Sequence, residues 1–237
     1  MTTITSKDGD IIIKTVDENN RPLIKRIDKN GNTIIRKLDE NGKPIFEEYD
    51  KDGKLIPNPR EIDEDGNIIE KIKDKDGNDV IKKTDINGNN TFISKDENGN
   101  EVIKKVDKDG NTLIEQTDKN GNKIQKRIDK DGTINIKEID KNGNLKETTI
   151  YPNGTKIVKS IDENNNPIIT ITDKDGNEII KSLDENNKPI ITRKEKDGNT
   201  IIRKLDENGK PIFEEYDKDG KLIPNPREID EDGNIIE

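Results

Sequence analysis

Asp28-Lys29-Asn30-Gly31-Asn32-Thr33-Ile34-Ile35-Arg36-Lys37-Leu38 decides how the rest of the chain is read. It is one copy of an 11-residue unit: Asp-x-(Asn/Asp)-Gly-x, then a short run that carries the apolar residues. The chain consists of such units laid end to end. All 18 glycines occupy the fourth position of a unit, and the three units without one place Asn20, Asn165 or Asn187 there. Glycine and asparagine tolerate positive φ, so the fourth position is expected to be a left-handed backbone site. Only the units that begin at Asp50 and Asp217 are longer, running on to Ile62 and Ile229.

The first four positions read as a turn. Aspartate at the first can accept hydrogen bonds from the turn amides, and the left-handed fourth residue completes a type I turn with a bulge, a common hairpin connection. Tyr151-Pro152-Asn153-Gly154 is the plainest copy, because proline pre-sets φ at the second position. The other seven positions are strand-like and rich in isoleucine, as in Glu178-Ile179-Ile180-Lys181-Ser182-Leu183. The recurring Gly or Asn leaves no room for a helix.

A 22-residue period is laid over the 11-residue one. The second position alternates Lys and Glu (Lys29, Glu40, Lys51, Glu64, Lys75), and proline takes the sixth position only in Glu-type units: Pro22, Pro44, Pro167, Pro189 and Pro211. Hairpin pairing accounts for this. If Asp39 pairs with Lys43, then Leu38 faces Pro44, Arg36 faces Phe46 and Ile35 faces Glu47, and paired residues share a face. One face receives Ile35, Ile45 and Tyr49 with Lys37 and Glu47; the other receives Ile34, Leu38 and Phe46 with Arg36 and Glu48. Neither reads as a core, which points to a thin, curved or spiralling sheet rather than a packed sandwich. The two long units carry Leu55-Ile56-Pro57-Asn58-Pro59-Arg60 and Leu222-Ile223-Pro224-Asn225-Pro226-Arg227, expected to be corners or edges.

The longest period organises the chain. Residues 31–70 and 198–237 are identical over 40 positions, an offset of 167, whereas 1–30 and 168–197 are only related. The sequence therefore divides into diverged leader repeats (1–30), one superrepeat (31–197) and the start of a second, identical one (198–237), within a single repeat array. The expected fold is all-β: tandem strand–turn units making an extended, meandering or spiralling antiparallel sheet, with a two-sided β-solenoid of 22-residue coils as the alternative.

Composition narrows the function classes. At 26% hydrophobic and 40% charged, without Cys, His or Trp, the chain has too little apolar matter for a thick core, while the fixed register of its turns argues against disorder. A net charge of −9 with interleaved Lys and Arg disfavours nucleic acid and anionic membranes. Nothing approaches membrane-spanning length, so no membrane insertion is expected. The N-terminal Met1 to Ser6 lacks the basic and apolar pattern of a signal segment.

Tyr49-Asp50-Lys51-Asp52-Gly53-Lys54-Leu55 and Tyr216-Asp217-Lys218-Asp219-Gly220-Lys221-Leu222 resemble the YD (Rhs-type) repeat, Tyr-Asp-x-x-Gly-x-Leu. The Tyr-Asp pair occurs in those two units, and Ile, Leu, Val, Thr or Lys replaces the tyrosine elsewhere. The resemblance implies a long β-meander that spirals into a shell or tube in large surface or secreted proteins. No catalytic residues of that family match.

Candidate chemistry is sparse. Asp63-Glu64-Asp65-Gly66-Asn67 and its relatives invite a calcium reading, but the spacing fits neither an EF-hand loop nor a nonapeptide roll, so turn chemistry outweighs calcium at the Asp-x-Asp-Gly turns. Glu47-Glu48 reads as solvated strand charge rather than an acid–base pair, and Arg36 opposite Phe46 as a cross-strand cation–π contact. No catalytic, cofactor-binding or metal residue is assigned, and no enzymatic activity is expected. The expected protein is structural: a segment of an extracellular or cell-surface fibre, tube, stalk or sheath that associates with itself. A surface adhesin and a YD-type shell of a toxin-delivery protein are the alternatives.

Overall fold

The structure, a computed structural model, describes residues 1–236, and the chain forms two compact units, Met1–Gln116 and Thr117 onward. In the first, β1 (Thr2–Thr5), β2 (Ile11–Val16), β3 (Pro22–Ile27), β4 (Thr33–Leu38) and β5 (Pro44–Tyr49) form one antiparallel meander in chain order. After a corner, β6 (Glu61–Ile62), β7 (Ile68–Lys73), β8 (Asp79–Thr84), β9 (Asn90–Lys95), β10 (Glu101–Val106) and β11 (Thr112–Thr117) continue as another.

The second unit repeats the plan. Its meander runs through β12 (Lys123–Ile128), β13 (Ile134–Ile139), β14 (Leu145–Ile150), β15 (Lys156–Ile161), β16 (Pro167–Thr172), β17 (Glu178–Leu183), β18 (Pro189–Lys194), β19 (Thr200–Leu205) and β20 (Pro211–Tyr216). The short pair β21 (Glu228–Ile229) and β22 (Ile235–Ile236) follows its corner. No helix occurs among the described residues.

The fold is thus an all-β meander, and the solenoid alternative is not adopted. Solenoid coils would set strands parallel to their counterparts one coil away, whereas each strand here pairs antiparallel with its sequence neighbour. The turns dictate this, because each reverses the chain over a short stretch. At Asp28, for example, Gly31 N–H donates to Asp28 O (2.9 Å) and Asp28 N–H to Asn32 O (2.9 Å). The Asp28 carboxylate accepts from the Asn30 and Asn32 amides at 2.9 Å each and from the Asn32 side chain at 2.8 Å. Gly31 has φ +90°, and Asn20, Asn165 and Asn187 have φ of 59°, 65° and 60°. The derived register is also present: Leu38 pairs Pro44, Arg36 pairs Phe46 and Ile35 pairs Glu47.

Contacts between turns on one edge of the sheet account for the 22-residue period. Lys29 N–H donates to Asp10 Oδ1 (2.9 Å), and Lys51 N–H to Asn32 Oδ1 (3.1 Å), linking Lys-type turns two strands apart. A Cβ on Gly31 would lie 3.3 Å from that of Lys51, whereas one on Gly42, in a Glu-type turn, would meet nothing within 4 Å. The Lys-type edge is close-stacked at this point, and the glycines there serve approach as well as φ.

The expectation that neither face is a core is overturned. The face carrying Ile34, Arg36, Phe46 and Glu48 is covered: Ile12, Ile24, Ile34 and Ile62 form a buried cluster with Phe46, Ile68 and Ile86 packed around it. The second unit has the matching cluster of Ile191, Ile201 and Ile229, with Ile179 and Phe213 against it. The covering matter is the chain after the corner, which folds back over the sheet that precedes it.

In the first unit Gly66 is where the covering turn comes down on the sheet. A Cβ there would lie 2.9 Å from Ile12 side-chain atoms, at a residue with φ +82°. Gly66→Ala adds core overpacking, about 1–3 kcal/mol, to a left-handed penalty of about 1 kcal/mol. Gly42→Ala incurs only the latter. Denaturant melts of the two variants should therefore differ by at least about 1 kcal/mol, and equal losses would contradict the covered-face packing.

Candidate functional site

The feature that recurs with its side chains intact is the corner and the frame it closes. β5 ends at Tyr49, and the hairpin that follows is cut short. Tyr49 bridges Leu55 and Ile56 N–H donates to Glu48 O at 2.7 Å, but Pro57 and Pro59 bring no N–H for further rungs. Asn58 (φ 55°) and its counterpart Asn225 (φ 57°) take left-handed conformations between the two prolines. Arg60 then returns to Glu48, which is 5% exposed. It donates its backbone N–H and Nε at 2.9 Å each, with Nη2 on the same carboxylate. Glu215 and Arg227 repeat the arrangement at 2.8 Å from both N–H and Nε.

Opposite charge is what makes this burial tolerable. Burial works to raise the Glu48 pKa, but the hydrogen bonds from Arg60 prevail and leave it below its ordinary value. Glu215 is likewise held low, first by the hydrogen bonds of Arg227. The Arg227 guanidinium is pushed up by Glu215 and then by Glu195.

From the corner the chain reaches the sheet through a checkerboard of isoleucine and arginine. Arg26, buried on β3, donates Nη1 to Gly66 O (3.1 Å) and Thr84 O (3.0 Å), and Nη2 to Asp85 O (3.1 Å) and Asp10 Oδ2 (3.3 Å). Lys14 reaches Asp65 at 2.8 Å and Arg36 reaches Glu64 at 3.4 Å. In the second unit Lys181–Asp232 and Arg203–Glu231 have the same lengths. A cavity of about 210 Å³ lies in the first frame, lined by Asp10, Arg26, Asp28, Asn32 and Arg60 among others. In the second, Glu195 stands where the first has Asp28, and its longer side chain meets Arg227 at 2.8 and 3.3 Å.

The residues singled out from sequence fall as follows. Glu47 and Glu48 point to opposite faces and share no site: Glu47 accepts from Lys37 and from the Tyr49 hydroxyl (3.0 Å), whereas Glu48, expected to be solvated, is buried because Arg60 folds back onto it. Arg36 faces Phe46 in the ladder, but its guanidinium turns to Glu64. The cation–π contact among the described residues is instead Lys104 over Phe92, at 6.0 Å. The Asp63 carboxylate is taken up by the Asp65 and Asn67 amides and by Lys83. Among the described residues no group of three or more His, Cys, Asp or Glu is placed to hold a metal ion.

Sequence reasoning missed the Glu48–Arg60 clamp, and the signal it had was the Pro57-Asn58-Pro59 break directly before an arginine. A separate feature lies on β12–β15, where Gln125, Arg127, Asn135, Lys137, Glu147 and Lys159 help line a shallow polar cavity of about 270 Å³.

No known protein family matches the chain, and no curated protein is similar to it. The assignment of function therefore rests on the geometry.

Two outcomes follow from this chemistry. The Asp96, Asp107, Asp118 and Asp173 carboxyls are held below their ordinary value, first by the side chains of Asn100, Asn111, Asn122 and Asn177. A depressed folded pKa gives stability that is complete above the unfolded value of about 3.9 and is lost as pH falls through the folded pKa. Melting temperature should hold from pH 7 to about 4.5 and drop steeply below about 4; a flat profile down to pH 2 would contradict the capping role. Arg60→Ala strands the buried Glu48 carboxylate. With Arg60 itself 44% exposed, we expect a loss on the order of 2 kcal/mol at neutral pH, read by chemical denaturation, and substantially recovered in Arg60→Ala/Glu48→Gln.

Proposed function

We propose that the protein is a structural element of a self-associating array, in an extracellular or surface fibre, tube, stalk or sheath, and not an enzyme. The observation that carries this reading is that the proline-turned frame occurs twice, at matching places along the two copies of the repeated sequence. It keeps three of the four buried isoleucines, the same Glu–Arg clamp and the same sheet-to-turn ion pairs. Frames recurring at the 167-residue offset would give a chain mechanical regularity, and contacts confined to near neighbours let such an array grow by duplication.

Exposed apolar residues on the sheets add surface for self-association. Ile45, Ile81, Ile124, Ile161 and Ile212 are each about two-fifths exposed, and repeated contacts that do not close a ring produce filaments. The Tyr-Asp units end β5 and β20, where each corner begins. This favours a YD-type meander as part of the proposal, and a shell segment of a toxin-delivery protein stays an alternative within it.

A surface-binding role is the second reading, favoured by the polar cavity on β12–β15, whose side chains suit a hydroxylated ligand such as a glycan. Electron microscopy and light scattering over a concentration series separate the two. The array reading expects filaments or sheets with a constant axial step. A compact monomer at every concentration would defeat it and leave the binding reading.

A further inference from the structure

The two frames differ in how completely they are covered. In the first, two turns lie on the sheet: the Asp63–Gly66 turn, and the turn that begins at Asp85. The second of these brings Ile86 against the isoleucine cluster and offers Thr84 O and Asp85 O to Arg26. In the second frame only the Asp230–Gly233 turn is present. Arg193, at the place of Arg26, donates Nη1 to Gly233 O (3.1 Å) and Nε to Glu195 Oε1 (3.5 Å), and Nη2 has no acceptor among the described residues. The Arg193 side chain is 18% exposed against 6% for Arg26. Ile179 is half-buried, whereas its counterpart Ile12 is 1% exposed.

We infer that the β17–β19 face around Arg193 and Ile179 is a docking surface for the Thr84–Gly88 turn of a further superrepeat. Three features make the match specific. The receptor side chains Ile179, Ile191, Arg193, Ile201 and Ile229 repeat Ile12, Ile24, Arg26, Ile34 and Ile62. The occupant is seen seated on that same set in the first unit, so its pose is observed. The Arg26 guanidinium takes the successive Thr84 and Asp85 carbonyls of that turn, and Arg193 offers the same fork of donors at the equivalent place. The occupant needs a turn whose second residue is apolar and long enough to reach the cluster. Asp85-Ile86-Asn87-Gly88 has this, while the other turns place Lys, Glu or Pro at that position.

The inference rests on the array reading only for the source of the occupant. It identifies the joint by which one superrepeat rigidifies the frame before it.

The test extends the chain after Glu237 with the sequence of residues 71–106, which continues in register because Glu70 and Glu237 are equivalent. Hydrogen exchange read by mass spectrometry should slow at least tenfold across β17–β19 in the extended chain. The gain should vanish with Arg193→Gln, or with Ile→Asn at the position equivalent to Ile86. Unchanged exchange, or a gain that survives both substitutions, overturns the inference.

Should the extension fail to fold, the 237-residue chain still decides. Arg26→Gln should accelerate exchange in β2–β4 more than Arg193→Gln does in β17–β19, and equal effects would refute a contribution from the turn. Filament formation is measured separately, so loss of the joint and loss of the array reading remain distinguishable.

Discussion

A single antiparallel sheet with water on both faces cannot bury much, and that constraint shapes the molecule. The strands are short, none longer than β4 or β5, and each face receives both isoleucine and charge. Such a sheet is held chiefly by its ladders and turns, and turns recurring once per unit with aspartate carboxylates on their amides supply that. Burial of apolar side chains must then come from folding the sheet's continuation over it, as happens after the Pro57-Asn58-Pro59 and Pro224-Asn225-Pro226 corners.

The corner solves two problems with one set of residues. Proline ends the ladder without leaving an unpaired N–H, and left-handed asparagine turns the chain. The arginine that follows then repairs the end of the strand just left by binding its buried glutamate. The sheet face beneath is built for the same purpose. Arg26 and Arg193 present guanidinium donors to carbonyls of the covering turns, and Arg36 and Arg203 to their glutamates, so the covering segment is held by hydrogen bonds as well as by apolar contact. Among the described residues no buried side-chain polar atom lacks a partner, which is the condition for so charged an interior to be stable.

The two longer periods serve different ends. Between β1 and β5 the 22-residue period goes with Lys-type turns stacked on one edge, where the asparagine or aspartate after the glycine reaches the amide of a turn two strands away. The sixth-position prolines fall in the Glu-type turns, where a Cβ added on Gly42 or Gly209 would meet nothing within 4 Å. The superrepeat marks the frames. The substitution of Glu195 for Asp28 shows that the frame tolerates change at its rim, since Asp197 takes over the Asn199 amide (3.0 Å) once Glu195 turns to Arg227.

Much of the fold was legible in the residues alone. Glycine or asparagine at one recurring position determined the turns, the turns determined antiparallel neighbours, and hairpin geometry determined the register down to Arg36 beside Phe46. These are local matters, settled within one hairpin. Which face is buried was not legible, because Ile34 and Ile35 stand on opposite faces of β4 with a charged neighbour apiece, and nothing local prefers one. That choice was made by Ile62, Gly66 and Ile86, which arrive from beyond the proline corner, far along the chain from Ile34. The same distance hid the partners of Arg26, Arg36 and Glu48. Local sequence shows a charge on a strand, and only the folded-back chain brings the carbonyl, the acid or the guanidinium that lets it be buried.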